Sequence, residues 1–136
     1  MSVLLDTHVW IWWLTGDPRL LALERQALDA VARTRPPHVS AISLWEAQML
    51  AAKGRFVPPI PFESWLRLAT SAPAATVLPL DVEVVLELDR LPERFHGDPA
   101  DRVIVATARR HHLPLASHDR GIRRARVIDL WRPRGA

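Results

Sequence analysis

Short apolar runs alternate along this chain with longer segments of helical spacing, and that alternation restricts the fold more than any other feature. Ser2–Leu5 (SVLL), His38–Ala41 (HVSA), Thr76–Leu80 (TVLPL), Leu113–Ser117 (LPLAS) and Val127–Leu130 (VIDL) have the length and composition of buried strands. Pro79 weakens the third of them. Helices are expected over His8–Leu14, from Asp17 to about Arg33, over Ser43–Lys53, Phe62–Ala69 and Val82–Leu88, and from Asp98 to about His112. The punctuation agrees. Asp17-Pro18 and Asp98-Pro99 each place an N-cap residue before a proline at the first helical position, and Asp81 is a third candidate cap. Arg35-Pro36-Pro37 ends one helix and Gly54 another, while the HDRG stretch from His118 reads as a turn. Strands alternating with helices imply a parallel sheet with helices on both faces. The expected fold class is therefore α/β, a three-layer α/β/α sandwich around about four to five strands. A length of 136 residues with 49% apolar composition suits one domain spanning residues 1–136.

That architecture raises a question at "LLDTHVWIWW". Asp6 stands in a nearly continuous apolar run, directly after the first strand. A buried carboxylate is costly unless it is paired, hydrogen-bonded or bound to a metal. In open parallel sheets, ligands sit beyond the carboxyl ends of the strands. Glu46 lies in the first turns of the helix after the second strand, Asp101 in the first turn of its helix, and Asp119 just after LPLAS. All four can reach one rim. Carboxylates crowded together need a counter-charge, which a hard divalent cation supplies through oxygen ligands. Structural readings stand beside this one. Glu46 also fits a solvated helix face, Asp98 a helix cap, Asp101 the acidic partner of that cap, and Asp119 a turn residue before Gly121.

Composition excludes several classes. Without cysteine there are no disulfides and no thiolate metal sites, which suits a reducing cytosol. Met1-Ser2 lacks a basic signal-peptide start, and no apolar stretch has membrane-spanning length, so a cytoplasmic location without a membrane partner is expected. The pI near 10.9 overstates the basic character, because the formal net charge is +3. The only lysine is Lys53 and tyrosine is absent, so almost nothing titrates between histidine and arginine. The arginines do cluster. Arg120, Arg123, Arg124, Arg126, Arg132 and Arg134 crowd the C-terminal end against Asp129 alone, either as a solvated face or as a surface for a phosphate backbone.

"LLDTHVWIWW", "SAISLWEAQM", "GDPADRVIVATA" and "LPLASHDRGI", in that order, resemble the motifs of PIN-domain ribonucleases, specifically VapC-type toxins of type II toxin–antitoxin pairs. The resemblance covers essentially the whole chain. It implies a PIN-like sandwich, Mg²⁺-dependent cleavage of RNA in which Mn²⁺ can substitute, neutralisation by a cognate antitoxin protein, and a homodimer. It carries the catalytic, metal-binding quartet onto Asp6, Glu46, Asp101 and Asp119. It also makes Asp98 a further candidate ligand, with Thr7 and Ser43 as supporting hydroxyls. Arg120, Arg123 and Arg124, which follow Asp119, are the candidate RNA contacts. His118 departs from the pattern, which more often has Thr or Ser followed by Arg or Asn there, and reads as a passive change.

Phosphatases that use a strand-end aspartate as nucleophile want a second aspartate two residues on and a late lysine. His8 and the early Lys53 do not supply them. The other class to weigh is a catalytically inactive PIN-like module that binds RNA or protein. His8, His111 and His112 read as surface or helix residues. On a helix, Trp10, Trp13 and Leu14 share one face, expected to be core, whereas Trp12 points away and is expected to meet a second chain.

Overall fold

The computed structural model describes residues 2–95 and 97–133. Four strands, β1 (Leu4–Leu5), β2 (His38–Ser40), β3 (Thr76–Leu78) and β4 (Leu115–Ala116), form one parallel sheet in the order β3-β2-β1-β4. Seven helices accompany them among the described residues: α1 (Thr7–Thr15), α2 (Ala22–Thr34), α3 (Ala41–Ala52), α4 (Phe62–Ala69), α5 (Val82–Asp89), α6 (Pro99–Arg110) and α7 (Arg120–Ala125).

The two-residue period of extended chain sorts the first strand between two cores. Val3 and Leu5 join Trp10, Leu28, Val39 and Trp65 on one side of the sheet. Leu4 joins Val84, Phe95, Ile104 and Leu115 on the other. The result is the expected three-layer sandwich. Trp10 is fully buried against Trp65, with ring centroids 5.3 Å apart, and its indole N–H donates to the Ala69 carbonyl at 3.2 Å. Truncating it to alanine should cost on the order of 3–5 kcal/mol.

Capping sets where the helices start and corrects one expectation. Asp17 does not cap α2. Its carboxylate accepts the Arg19 backbone N–H at 2.8 Å and the Arg19 guanidinium at 2.7 Å, closing a tight turn instead. The helix starts five residues later, at Ala22, where Glu24 reaches back to the Leu21 N–H. Asp98 does cap α6, accepting the Asp101 N–H at 2.8 Å with Pro99 in the first turn. Asp81 caps α5 through the Val84 N–H, and Ser40 caps α3 through that of Ile42. Gly16 (φ 70°) and Gly54 (φ 71°) supply the left-handed backbone that follows α1 and α3.

Two further expectations change. Val127–Leu130 is not a full strand: Leu130 alone bridges to Leu115. The HDRG segment is not merely a turn. Asp119 accepts the Ile122 N–H at 2.9 Å and so starts α7, whose Ile122 is buried in the second core. Gly121 and the cluster of arginines disguise this helix in the sequence, where only one apolar anchor marks it.

Candidate active site

The rim where the strands end is built from the chain's own caps and hydroxyls. Asp6 leaves β1 as the residue before α1 and is 5% exposed. Ser117, leaving the neighbouring β4, donates its hydroxyl to Asp6 Oδ2 at 2.6 Å. Burial pushes the Asp6 carboxyl above its ordinary value, against the pull of the Ser117 bond and of His8. Thr7 and Ser43 meet at 2.8 Å, and Thr7 Oγ1 donates to Glu46 Oε1. A hydroxyl has one proton, so Thr7 spends it on Glu46 and takes the Ser43 proton as acceptor. The two expected supporting hydroxyls thus form one relay that turns Glu46. Glu46 is half-buried and its carboxyl is also raised, by burial first and then by the charges of Asp6 and Asp98.

Asp101 concentrates the strain of the site. Burial, then the charges of Asp6, Asp98, Asp119 and Glu46, push its carboxyl from 3.8 to about 8. Asp6, Glu46, Asp98, Asp101 and Asp119, from four separated parts of the chain, thus lie close enough for their charges to act on one another. Asp98 and Asp119 each hold a helix N-terminus while facing this group, so the cap and site readings do not exclude each other.

Among the described residues, no three His, Asp or Glu side chains are drawn in tightly enough to clasp an ion. Thr7 holds Glu46, and Asp98 and Asp119 are committed to caps. The donor set, all carboxylate and hydroxyl oxygen, fits a hard divalent cation that keeps part of its water shell.

A cavity of about 600 Å³ is lined by Asp98, Asp101 and Asp119 together with Arg94 and Arg124. Of the three tail arginines expected at the rim, only Arg124 borders it. Arg123 lines two other cavities, one with Glu87, Arg109 and Asp129 and one with Ser117 and His118, and Arg120 borders none of the three. A helical turn rotates successive side chains by about 100°, so neighbours in sequence diverge. Arg94, which the sequence did not single out, stands at the rim instead, and no sequence signal marked it.

His118 is not passive. Its Nε2 meets both Glu24 carboxylate oxygens at 2.8 and 2.9 Å, and its ring stands edge-on to Trp12 at 5.5 Å. Trp12, expected to meet a second chain, is partly exposed and lies under the Arg19 guanidinium, 4.9 Å from the ring centroid, against the first core. The exposed tryptophan is Trp45, at 53%.

A parallel α/β/α sandwich with acidic side chains gathered beyond its strand ends is the class that fold and site define. Residues 3–128 match the PIN domain family. Ribonuclease VapC22 of Mycobacterium tuberculosis (strain ATCC 25618 / H37Rv) is 38% identical over 134 residues, 96% of this chain and 98% of that protein. The chain belongs to the PIN domain family. Solved structures agree in fold. VapBC2 from Rickettsia felis, bound to a promoter DNA fragment, superposes with a TM-score of 0.71 at 15% identity, over 96% of this chain and 98% of that one. A toxin–antitoxin complex from Klebsiella pneumoniae gives 0.61 at 25% identity over 87% of each chain. FitAcB from Neisseria gonorrhoeae gives 0.60 at 21% identity over the full length of both. Among the described residues, no helix is long and apolar enough to cross a membrane.

Proposed function

We propose that the chain is a metal-dependent endoribonuclease, the toxin of a type II toxin–antitoxin pair held inactive by a cognate antitoxin. The observation that carries this reading is the convergence of Asp6, Glu46, Asp98, Asp101 and Asp119 on one rim, where burial and neighbouring carboxylates raise Asp6, Glu46 and Asp101 together. The ribonuclease named among its relatives and the toxin–antitoxin complexes among its structural neighbours support it. Asp6, Glu46, Asp101 and Asp119 would hold Mg²⁺ or Mn²⁺ directly or through water, with Asp98 beside them. When bound, the cation would polarise the scissile phosphate and lower the pKa of the attacking water.

The remaining work falls to the protein. Ser117 orients Asp6, and the Ser43–Thr7 relay orients Glu46. Asp101, protonated at neutral pH without a counter-charge, releases its proton when positive charge arrives. Arg94 and Arg124, beside the acids, are placed to meet the phosphates next to the cut. Such an enzyme works in the cytoplasm, where its RNA is, and as a homodimer.

Calorimetric titration with Mn²⁺, followed by an RNA cleavage assay with and without EDTA, tests the reading. The parent should bind the ion and cut RNA only in its presence, and Asp6→Asn should do neither while staying folded. A protein that binds no divalent cation would be the inactive RNA- or protein-binding module.

A further inference from the structure

The groove of about 540 Å³ on the other side of Asp98 has two unlike walls. It opens at Glu46 and Asp98, so it is continuous with the acidic rim. Along α1 and the turn after it runs a series of planar groups. His8 is exposed and its ring lies 5.7 Å from that of Trp12, and the Arg19 guanidinium lies over Trp12 at 4.9 Å. The Arg19 plane is fixed, because Asp17 grips it through Nε at 3.1 Å and Nη2 at 2.7 Å. Facing these groups from the end of α3 and the turn beyond it are Lys53 and Arg55. Both are exposed, and neither makes an ion pair among the described residues.

A wall of planar groups opposite a wall of unpaired cations matches one kind of ligand, a single strand with bases on one side and phosphates on the other. Single-stranded nucleic acids are held in this way, by stacking platforms within positively charged grooves. A fixed guanidinium plane stacks on a base as an aromatic ring does. The order along the groove also fits, since the strand would leave the carboxylate rim and pass the planar series directly.

We propose that this groove is the channel for the single-stranded RNA flanking the cut, with His8 and the Trp12-backed guanidinium of Arg19 stacking bases and Lys53 and Arg55 holding phosphates. The proposal rests on the nuclease reading and names where that enzyme's substrate lies. The tail arginines are then secondary, Arg124 excepted.

The test uses an Asp101→Asn background, so that RNA is bound without being cut. A fluorescently labelled single-stranded RNA of mixed sequence is titrated at several salt concentrations. Lys53→Gln with Arg55→Gln should lower the log–log salt slope by about 1.4, at about 0.7 per phosphate contact on single strands. His8→Ala and Arg19→Ala should each weaken binding of this RNA by about fivefold or more. They should weaken binding of the matching abasic ribose–phosphate strand clearly less. All four positions are exposed, and thermal melting of each variant checks that the turn closed by Asp17 and Arg19 is intact.

An unchanged salt slope, or equal losses on the normal and abasic strands, would overturn the channel. If the parent with Mn²⁺ cuts RNA, and the same groove substitutions made in the parent cut as fast, the channel fails while the nuclease reading stands. If the parent neither binds nor cuts RNA, both fail. Loss of a protein partner with RNA binding intact would assign the groove to a polypeptide and end the proposal.

Discussion

Ser117 Oγ donates to Asp6 Oδ2 at 2.6 Å and accepts the Asp119 N–H at 3.0 Å, so one hydroxyl joins the ends of two neighbouring strands and both their aspartates. The pairing of Leu5 with Ala116 places the ends of β1 and β4 side by side. The bond favours the ionised form of Asp6 and opposes burial, which raises its pKa. Ser117→Ala should therefore raise the Asp6 carboxyl further and leave it poorly oriented. Partners of metal-binding side chains typically contribute about 10- to 100-fold in affinity. Calorimetric Mn²⁺ titration at neutral pH should show a loss of that order, with Ser117→Thr recovering much of it. An affinity unchanged in Ser117→Ala would remove the bond from the site's design.

Asp101 gives the metal-free protein a pH dependence of defined sign. Its folded-state carboxyl titrates at about 8 and its unfolded one near 3.8, so the folded state binds the extra proton between them. Stability is full below the unfolded value and falls as pH rises towards 8. Asp6 and Glu46, also raised, act in the same direction. Melting temperatures in EDTA should fall from pH 5 to pH 8.5. Asp101→Asn should flatten that fall, and Mn²⁺ should restore stability more at pH 8 than at pH 5. A flat profile for the parent would mean that solvent screens these charges far better than the geometry implies.

The parts of this molecule legible in its sequence are those where one residue type has one physical outlet. Asp6 could be singled out because a carboxylate after a buried strand has few other uses. Asp98-Pro99 gave the start of α6 because cap and proline agree. Asp17-Pro18 carried the same signal and misled, because Arg19 competes for the carboxylate that would cap. Side-chain direction within α7 was illegible, since a six-residue helix with one buried anchor has no periodicity to read. The Glu24–His118 pair spans 94 positions, and no local pattern could join them.

Asp98 separates capping from chemistry by substitution. Asn accepts the Asp101 N–H about as well, so Asp98→Asn should melt within about 0.5 kcal/mol of the parent, whereas Asp98→Ala should lose about 1 kcal/mol. Urea melts of the two variants check this. If Asp98→Asn also abolishes Mn²⁺ binding while its helix stays intact, the carboxylate belongs to the metal site as well as to the cap.

Gly97 should tolerate no side chain. A Cβ there would lie 2.7 and 2.9 Å from the Phe95 ring and 3.2 Å from Asp101 Cβ. Phe95 cannot yield easily, being 2% exposed, with its carbonyl held by Arg102 at 2.6 Å. The strain must pass into the turn that carries Asp98 and Asp101. Gly97→Ala should cost about 1–3 kcal/mol by overpacking and should also weaken Mn²⁺ binding. Urea denaturation and metal titration on one preparation would show both losses. Loss of stability with full metal affinity would confine the effect to Phe95.

The two partly similar tryptophans, Trp12 and Trp45, should respond oppositely. Trp12 packs on the first core, under Arg19 and against His118, so Trp12→Ala removes contacts inside one chain. Its melting temperature should drop by several degrees, a loss of about 1–2 kcal/mol for a half-buried large side chain. Trp45 is 53% exposed on α3, one residue before Glu46, and is absent from both core clusters. Trp45→Ala should leave the melting temperature of the dilute protein nearly unchanged. Exposed aromatics anchor interfaces through area they bury only on association. If the chain forms the homodimer expected of it through this face, Trp45→Ala should shift the sedimentation profile towards monomer, whereas Trp12→Ala should not at temperatures where it stays folded. Unchanged sedimentation for Trp45→Ala would place the dimer contact elsewhere on the surface.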